Sequence, residues 1–316
     1  MQTRALGRSG LSVSVIGLGC NNFGGMIQDL DLKASQAVIH AALEAGVTFF
    51  DTADSYGSDG GSERVLGETL GAKRKDIILA TKFASPMNRA VSTRYDGSRG
   101  YIMKAVEDSL QRLRTDYIDL YQYHFPDSQT PIEETLGALD DLVRQGKVRY
   151  VACSNFEAWR LVDAHWAART RDLSPFLSTQ AEYNLLNRDA ETALFPALRR
   201  AEMSLLPYFP LASGLLTGKY RKSRPLPGGT RLDLPYFKGG LTEERLETVE
   251  ALATFAEQRG RTLLELAFAW LLASPLVPSV IAGATRPEQV SANAQAAGWR
   301  LSAEDLAAID AISAPA

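Results

Sequence analysis

The 316-residue chain is poor in the residues that build disulfides and metal sites: it has two cysteines and three histidines. Cys20 and Cys153 stand far apart with no Cys-x-x-Cys spacing, so neither reads as half of a disulfide or as a metal ligand. No apolar run approaches the roughly 20 residues needed to span a bilayer. The first residues, MQTRALGR, lack the sustained apolar core of a signal peptide, so a reducing cytoplasm is the expected setting. Nor is there a surplus of positive charge. With 34 Lys and Arg against 37 Asp and Glu the net charge is −3, which argues against a nucleic-acid partner and for a small molecule. A hydrophobic fraction of 45% with 22% charged residues excludes disordered and low-complexity classes.

What the chain does have is a rhythm. Val15-Ile16-Gly17-Leu18-Gly19 reads as a buried strand, and residues 33 to 45 carry apolar positions at helical spacing up to Gly46, a natural stop. The unit then recurs. Strands are expected at 48–53, 77–83, 117–124, 148–154, 176–182, 204–210 and 277–282, with helices near 62–70, 100–113, 131–145, 156–169, 190–201, within 242–273 and near 287–297. Eight strands alternating with helices imply parallel strands and crossover connections, which close naturally into a (β/α)₈ TIM barrel of the α/β class, a single domain over residues 1–316. The rival doubly wound sheet lacks its Gly-x-Gly-x-x-Gly fingerprint, because Gly17-Leu18-Gly19-Cys20-Asn21-Asn22 ends in asparagine.

Three segments stand outside the rhythm. Arg4-Ala5-Leu6 and Leu11-Ser12-Val13, separated by glycines, read as an N-terminal hairpin covering one end of the core. Residues 212–241, after the seventh strand, form a long loop rich in Gly, Pro and basic residues. It reads as a lid over a site at the strands' carboxyl ends, or else as a tolerated insertion. Residues 302–313 read as a packing helix capped by Ser302.

In a barrel, residues at the carboxyl ends of strands converge on one mouth. Four deserve comparison: Asp51, Tyr56, Lys82 and His124. Lys82 ends an apolar strand, where an ammonium needs a counter-charge such as Asp51; a plain buried ion pair is the structural alternative. Counting back from His124 in twos puts Gln122, Leu120 and Ile118 on its face, the inward one, and a core histidine is the alternative there. Together the four make chemical sense. A cation beside Tyr56 would lower its proton affinity toward neutral pH, making it a general acid, with Asp51 holding the lysine. Neutral His124 would donate to an oxygen gaining negative charge, so the implied chemistry is protonation of a carbonyl without a metal.

The same segments, FFDTADSYG with Gly67 after it, LATKF, and DYIDLYQYHFPD, resemble the aldo-keto reductase family, and the likeness covers nearly the whole chain. By that resemblance Tyr56 is the proton donor, Lys82 and Asp51 its tuning pair, His124 the carbonyl-orienting residue, and a nicotinamide cofactor the hydride source. The family's cofactor positions match Gly19, Cys20, Asn21 and Asp51; Ser154, Asn155 and Gln180 for the carboxamide; and Tyr208 for stacking on the nicotinamide. Pro210, Leu211, Ser213, Gly214, Leu215 and Lys219 fall where the family's loop wraps the pyrophosphate. Gly283, Thr285, Arg286, Gln289 and Asn293 fall at the adenosine end. A guanidinium at a helix start suits a 2′-phosphate, so Arg286 favours NADPH over NADH, with a solvated surface arginine as the alternative.

The departures bear on substrate. Many relatives read Gly-Leu-Gly-Thr-Trp where this chain has Gly19-Cys20-Asn21-Asn22-Phe23, which implies a roomier, more polar pocket. Met26, Phe83 and Phe125 would line it with Tyr56 and His124, and Asn21 would add a hydrogen bond. Such a pocket suits hydroxylated, sugar-like carbonyls as well as aromatic aldehydes. The resemblance leaves two alternatives to carbonyl reduction: an NAD(P)-dependent sugar or alcohol dehydrogenase, and a slow-turnover NADPH-binding regulatory subunit of the kind that binds potassium channels.

Overall fold

A computed structural model describes residues 1–25, 30–86, 94–222, 224–234 and 240–314. Its centre is a sheet of eight parallel strands in the order β10-β3-β4-β5-β6-β7-β8-β9. These strands are β3 (Ile16–Gly19), β4 (Phe49–Asp51), β5 (Ile78–Phe83), β6 (Ile118–Tyr123), β7 (Val148–Ser154), β8 (Ser178–Glu182), β9 (Ser204–Tyr208) and β10 (Val280–Gly283). The Leu205 N–H donates to Leu276 O at 2.7 Å, tying β9 to the segment that enters β10, so the sheet curls into a nearly closed (β/α)₈ barrel. The expected architecture is the observed one.

Helices α1 (Leu32–Glu44), α2 (Gly61–Leu70), α3 (Arg99–Leu113), α4 (Ile132–Arg144), α5 (Ala158–Thr170), α6 (Leu194–Ala201), α8 (Leu263–Ala273) and α9 (Pro287–Ala296) form the outer layer. Their starts follow local chemistry. The Asp31 side chain accepts from Ala34 N at 2.7 Å, and Thr262 with Glu265 closes a full capping box at α8. Helix α7 (Glu243–Glu257) precedes α8, and the tail forms α10 (Ala303–Ser313) with the expected Ser302 cap, the Asp305 carboxylate accepting in return from Ser302 N. The long helix expected at 190–201 is broken into a 3-10 turn, Asp189–Glu191, and the short α6.

The N-terminal hairpin pairs β1 (Thr3–Ala5) with β2 (Ser12–Ser14), antiparallel, in the register Thr3↔Ser14. Its apolar residues Leu6, Leu11 and Val13 pack against Phe49, Ala80, Leu120, Ala152, Leu206 and Ile281, the inner face of the lower barrel. The hairpin is a stopper. Ser14 secures it: its buried hydroxyl accepts from Thr48 N and Phe49 N at 3.0 and 3.2 Å and donates to Ile16 O at 2.6 Å.

The described part of the long loop after β9 is strapped down. It opens with a 3-10 segment, Ala212–Thr217, and Arg221 and Lys222 then pair with Glu250, Glu257 and Glu247 of α7. The buried Tyr220 donates to Thr230 Oγ1 at 2.9 Å, and Arg231 donates to Asn22 Oδ1 at 2.7 Å. Asn22 follows β3 and also donates to Ala284 O after β10, at 3.2 Å. The strap therefore crosses the rim from β9 to β3 at the carboxyl end of the barrel.

Candidate active site

Strand alternation decides which side chains enter the barrel. Asp51 closes β4, Lys82 is the penultimate residue of β5, and both point inward, buried to 3% and 1% exposure. The Lys82 ammonium donates to Asp51 Oδ2 at 2.7 Å, Thr52 O at 2.9 Å and Tyr56 Oη at 3.2 Å. An ammonium has three protons, and these three acceptors use them all. Tyr56, on the turn after β4, is half-buried and donates to no protein group among the described residues. His124 directly follows β6, with its ring edge-on to Tyr56 at a centroid distance of 5.6 Å. The four residues singled out in the sequence thus stand together at one mouth.

Their electrostatics differ in one respect from the expectation. Burial is the largest influence on Tyr56 and pushes its proton affinity up; Lys82 opposes this, but Asp51 cancels part of the opposition, so the phenol lies above its ordinary range. The lysine's charge is shared with a carboxylate 2.7 Å away and does not act as a bare cation. Tyr56 is accordingly held protonated, the state from which a proton can be given. Burial alone would lower Lys82, yet Asp51 and Tyr56 together lift it, so it stays an ammonium.

Below this quartet lies a layer of amides. Asp51 Oδ1 accepts from Gln122 Nε2 at 2.8 Å and from Gln180 Nε2 at 2.6 Å, and Gln180 Nε2 also donates to Gln122 Oε1 at 2.9 Å. Asp51, Gln122 and Gln180 come from β4, β6 and β8, the alternate-strand pattern of a barrel layer. Both N–H donors of Gln180 are spent inside the protein, leaving its carbonyl oxygen for a ligand.

Asn155 is similarly engaged. It sits in the left-handed region, at φ 60°, and donates to His124 O at 2.9 Å and Ser154 Oγ at 3.0 Å while accepting from Tyr208 Oη at 2.9 Å. It links the ends of β6, β7 and β9. Pro210 and Leu211 lead into the 3-10 segment containing Ser213, Gly214 and Leu215. At Gly214, φ is 102° and an added Cβ would come within 3.1 Å of Lys219 Nζ, so the turn requires glycine beside that ammonium. Arg286 is the N-cap residue of α9 and is exposed; Gln289 accepts from Thr285 N at 2.7 Å, and Asn293 is buried one turn further on. A Cβ at the exposed Gly283 would lie 3.8 Å from Asn21 Oδ1, which puts Asn21 on the β3–β10 rim.

Three expected contacts are corrected. Phe83 follows Lys82 and so faces outward, fully buried against Tyr121 and Tyr123 at centroid distances of 4.8 and 5.1 Å; it is core, not a pocket wall. Cys20 has no exposed surface, its Sγ donating to Leu18 O, and burial pushes its thiol up. Leu215, 1% exposed, faces the core and has only its backbone to offer. Phe125 does lie at the mouth, stacked on His124 at 4.7 Å and on Tyr95 at 4.7 Å. Met26 lies outside the described residues.

Sequence reading passed over Gln122 as a site residue and missed Arg231. Burial lowers the proton affinity of Lys219 most, the half-buried Arg231 adds to this, Asp233 partly offsets it, and the exposed Arg286 contributes least. A Gly-Gly pair just before Arg231 in a basic loop was the available signal. A shallow groove of about 830 Å³ lies at the opposite, amino end of the strands; of its cations Arg74, Lys75, Arg114 and Lys147, three are paired, Arg74 with Asp119, Arg114 with Glu68 and Lys147 with Glu107.

The aldo/keto reductase family profile matches residues 15–314. The chain is similar to a probable voltage-gated potassium channel subunit beta of Arabidopsis thaliana, 36% identical over 309 residues, covering 94% of this chain and 91% of that protein. It is also similar to aldo-keto reductase YhdN of Bacillus subtilis (strain 168), 36% identical over 317 residues, with 99% and 93% covered. L-glyceraldehyde 3-phosphate reductase of Escherichia coli (strain K12) is 34% identical over 322 residues, with 98% and 92% covered.

Proposed function

Because this chain belongs to the aldo/keto reductase family, we propose that it reduces aldehydes or ketones to alcohols, with NADPH as hydride source and Tyr56 as proton donor. One observation carries the reading: Lys82 donates to Tyr56 Oη, so the tyrosine's own proton is directed away from the lysine, toward the mouth beside His124. A carbonyl oxygen placed between Tyr56 and His124 would meet both a proton donor and an imidazole N–H that stabilises its developing charge.

NADPH, when bound, supplies the hydride. The residues present fit such a dinucleotide: Lys219 feels the charges of Arg231 and Arg286, with Asp233 offsetting part of them, so an anion is favoured there, and at Gly214 a Cβ would fill space beside the Lys219 ammonium. In this reading the three cations hold the phosphates, Tyr208 stacks on the nicotinamide, and Ser154, Asn155 and the Gln180 carbonyl frame its carboxamide. The exposed Arg286 at the α9 start supports NADPH over NADH. The likeness to a glyceraldehyde phosphate reductase supports small hydroxylated aldehydes among the substrates.

Tyr56→Phe tests the mechanism. Turnover of a generic aldehyde should fall at least ~100-fold, with NADPH binding by fluorescence titration unchanged; near wild-type turnover rejects Tyr56 as donor. The likeness to potassium-channel beta subunits supports a second reading, an NADPH-binding regulatory protein with slow turnover. Tight NADPH binding with negligible turnover across aldehydes, ketosugars and quinones would favour it.

A further inference from the structure

We infer that Gln122 is a positioning residue for proton donation: with Gln180 it clamps Asp51, and through Asp51 it sets how strongly Lys82 donates to Tyr56. The inference rests on the proposed role of Tyr56 and adds to it a residue two strands away from the tyrosine's own.

Three side chains from three strands close a small ring. Gln122 donates to Asp51 Oδ1 at 2.8 Å, Gln180 donates to the same oxygen at 2.6 Å, and Gln180 donates to Gln122 Oε1 at 2.9 Å. All three are almost wholly buried, so water does not replace a missing bond cheaply. Two consequences follow. The first is electrostatic. Two amide N–H groups draw the carboxylate's charge toward Oδ1, away from Oδ2, the oxygen that holds Lys82 at 2.7 Å. An ammonium gripped less tightly by Oδ2 keeps a stronger bond to Tyr56 Oη, the longest of its three at 3.2 Å. The second is geometric. Bracketed from β6 and β8, the carboxylate has one orientation, and so has the ammonium beneath the tyrosine.

The ring also fixes which way the Gln180 amide faces. Gln122 Oε1 can only accept, so Gln180 must turn its nitrogen inward and its carbonyl away from the ring. The charged and titratable groups around this assembly are few: Lys82 from β5, Tyr56 from the turn after β4, Cys20 from the loop after β3, and His124 after β6. The Cys20 thiol, pushed up by burial, stays neutral. Among the described residues, Lys82 is therefore the cation in direct contact with Asp51 through which Gln122 can act on Tyr56.

The test is Gln122→Met, which keeps length and removes both polar atoms, beside Gln122→Glu, which keeps shape and loses the N–H. In protein labelled with ¹³Cζ-tyrosine, the Tyr56 resonance is assigned by its loss in Tyr56→Phe and read at neutral pH without cofactor. Gln122→Met should displace it. In turnover, kcat should fall about tenfold with carbonyl KM little changed, and the alkaline limb should move up by about half a pH unit or more. Gln122→Glu should regain activity as pH falls and its carboxyl takes a proton that it can donate. An unmoved Tyr56 resonance in folded Gln122→Met overturns the inference, as does a pH profile identical to wild type. If Gln122→Met does not fold, Gln122→Glu decides, and a pH-independent ratio to wild type counts against the inference. A wild-type protein that turns over no carbonyl would sink the reductase reading alone, since the resonance is read without catalysis.

Discussion

Breaking the Asp51–Lys82 pair should cost stability in a way that restoring neutrality repairs, while activity is lost throughout. The pair is 2.7 Å apart with its two side chains 4% and 1% exposed. Removing one partner of such a pair leaves an uncompensated buried charge, at about 3–5 kcal/mol. In Lys82→Met the carboxylate still accepts from Gln122 and Gln180, and in Asp51→Asn the ammonium still donates to Thr52 O and Tyr56 Oη. Both single variants therefore belong at the lower end, about 3 kcal/mol each. The double variant holds no charge and should be no less stable than either single, a coupling of about 3 kcal/mol, at the upper limit for contacting residues. Equilibrium urea unfolding of the three variants and wild type at pH 7 measures this directly. A double variant destabilised by about 6 kcal/mol, the additive result, would refute the argument that the charges are mutually dependent. Carbonyl reduction should be lost in all three, because Tyr56 loses its ammonium neighbour or that neighbour's anchor.

Asp54 gives a prediction of the opposite sign. It is 1% exposed, with Oδ1 unpartnered and Oδ2 accepting from Tyr101 at 3.3 Å; burial first and then Glu63 push its proton affinity well up. The folded protein thus keeps a proton that the unfolded chain releases above about pH 4, so this residue subtracts stability as pH rises. Asp54→Asn should be more stable than wild type at pH 8 and gain nothing at pH 4 by urea midpoint; a gain that does not vary with pH would contradict it. At the cation cluster, Arg231→Ala should weaken NADPH binding about 10- to 100-fold, the range of a lost charge-assisted bond, as read by fluorescence titration. Arg286→Ala should weaken NADPH much more than NADH, and an equal loss for both would remove the 2′-phosphate role.

Much of the barrel was legible because local patterns and tertiary demands agree. Glycine and cap residues ended the helices where expected, and the hairpin was visible in six apolar and polar residues around two glycines. Asp51, Tyr56, Lys82 and His124 stood out because a strand end is a short-range feature. What escaped is contact between segments far apart: Arg231 meets Asn22 across 209 residues, and Gln180 and Asp51, each picked out singly, meet across 129. Gln122 was correctly set on the face of His124, but nothing local says that a carboxylate and another amide complete its hydrogen bonds. Phe83 was misread through ignoring the period of two: if Lys82 faces in, its neighbour faces out. The acidity of Tyr56 was misjudged because a sequence shows a lysine nearby and does not show how deeply both are buried.

The hairpin stopper has a consequence for proton traffic. With Leu6, Leu11 and Val13 set against Phe49, Leu120, Leu206 and Ile281, the lower half of the barrel is closed by packed apolar side chains, with the hydroxyls of Ser14 and Ser204 tied to backbone groups among them. In the proposed reaction, a proton given up by Tyr56 has its direct route of replacement from above, through the mouth at which Tyr56 and His124 stand. For the proposed acid, reprotonation and product release would then share one doorway.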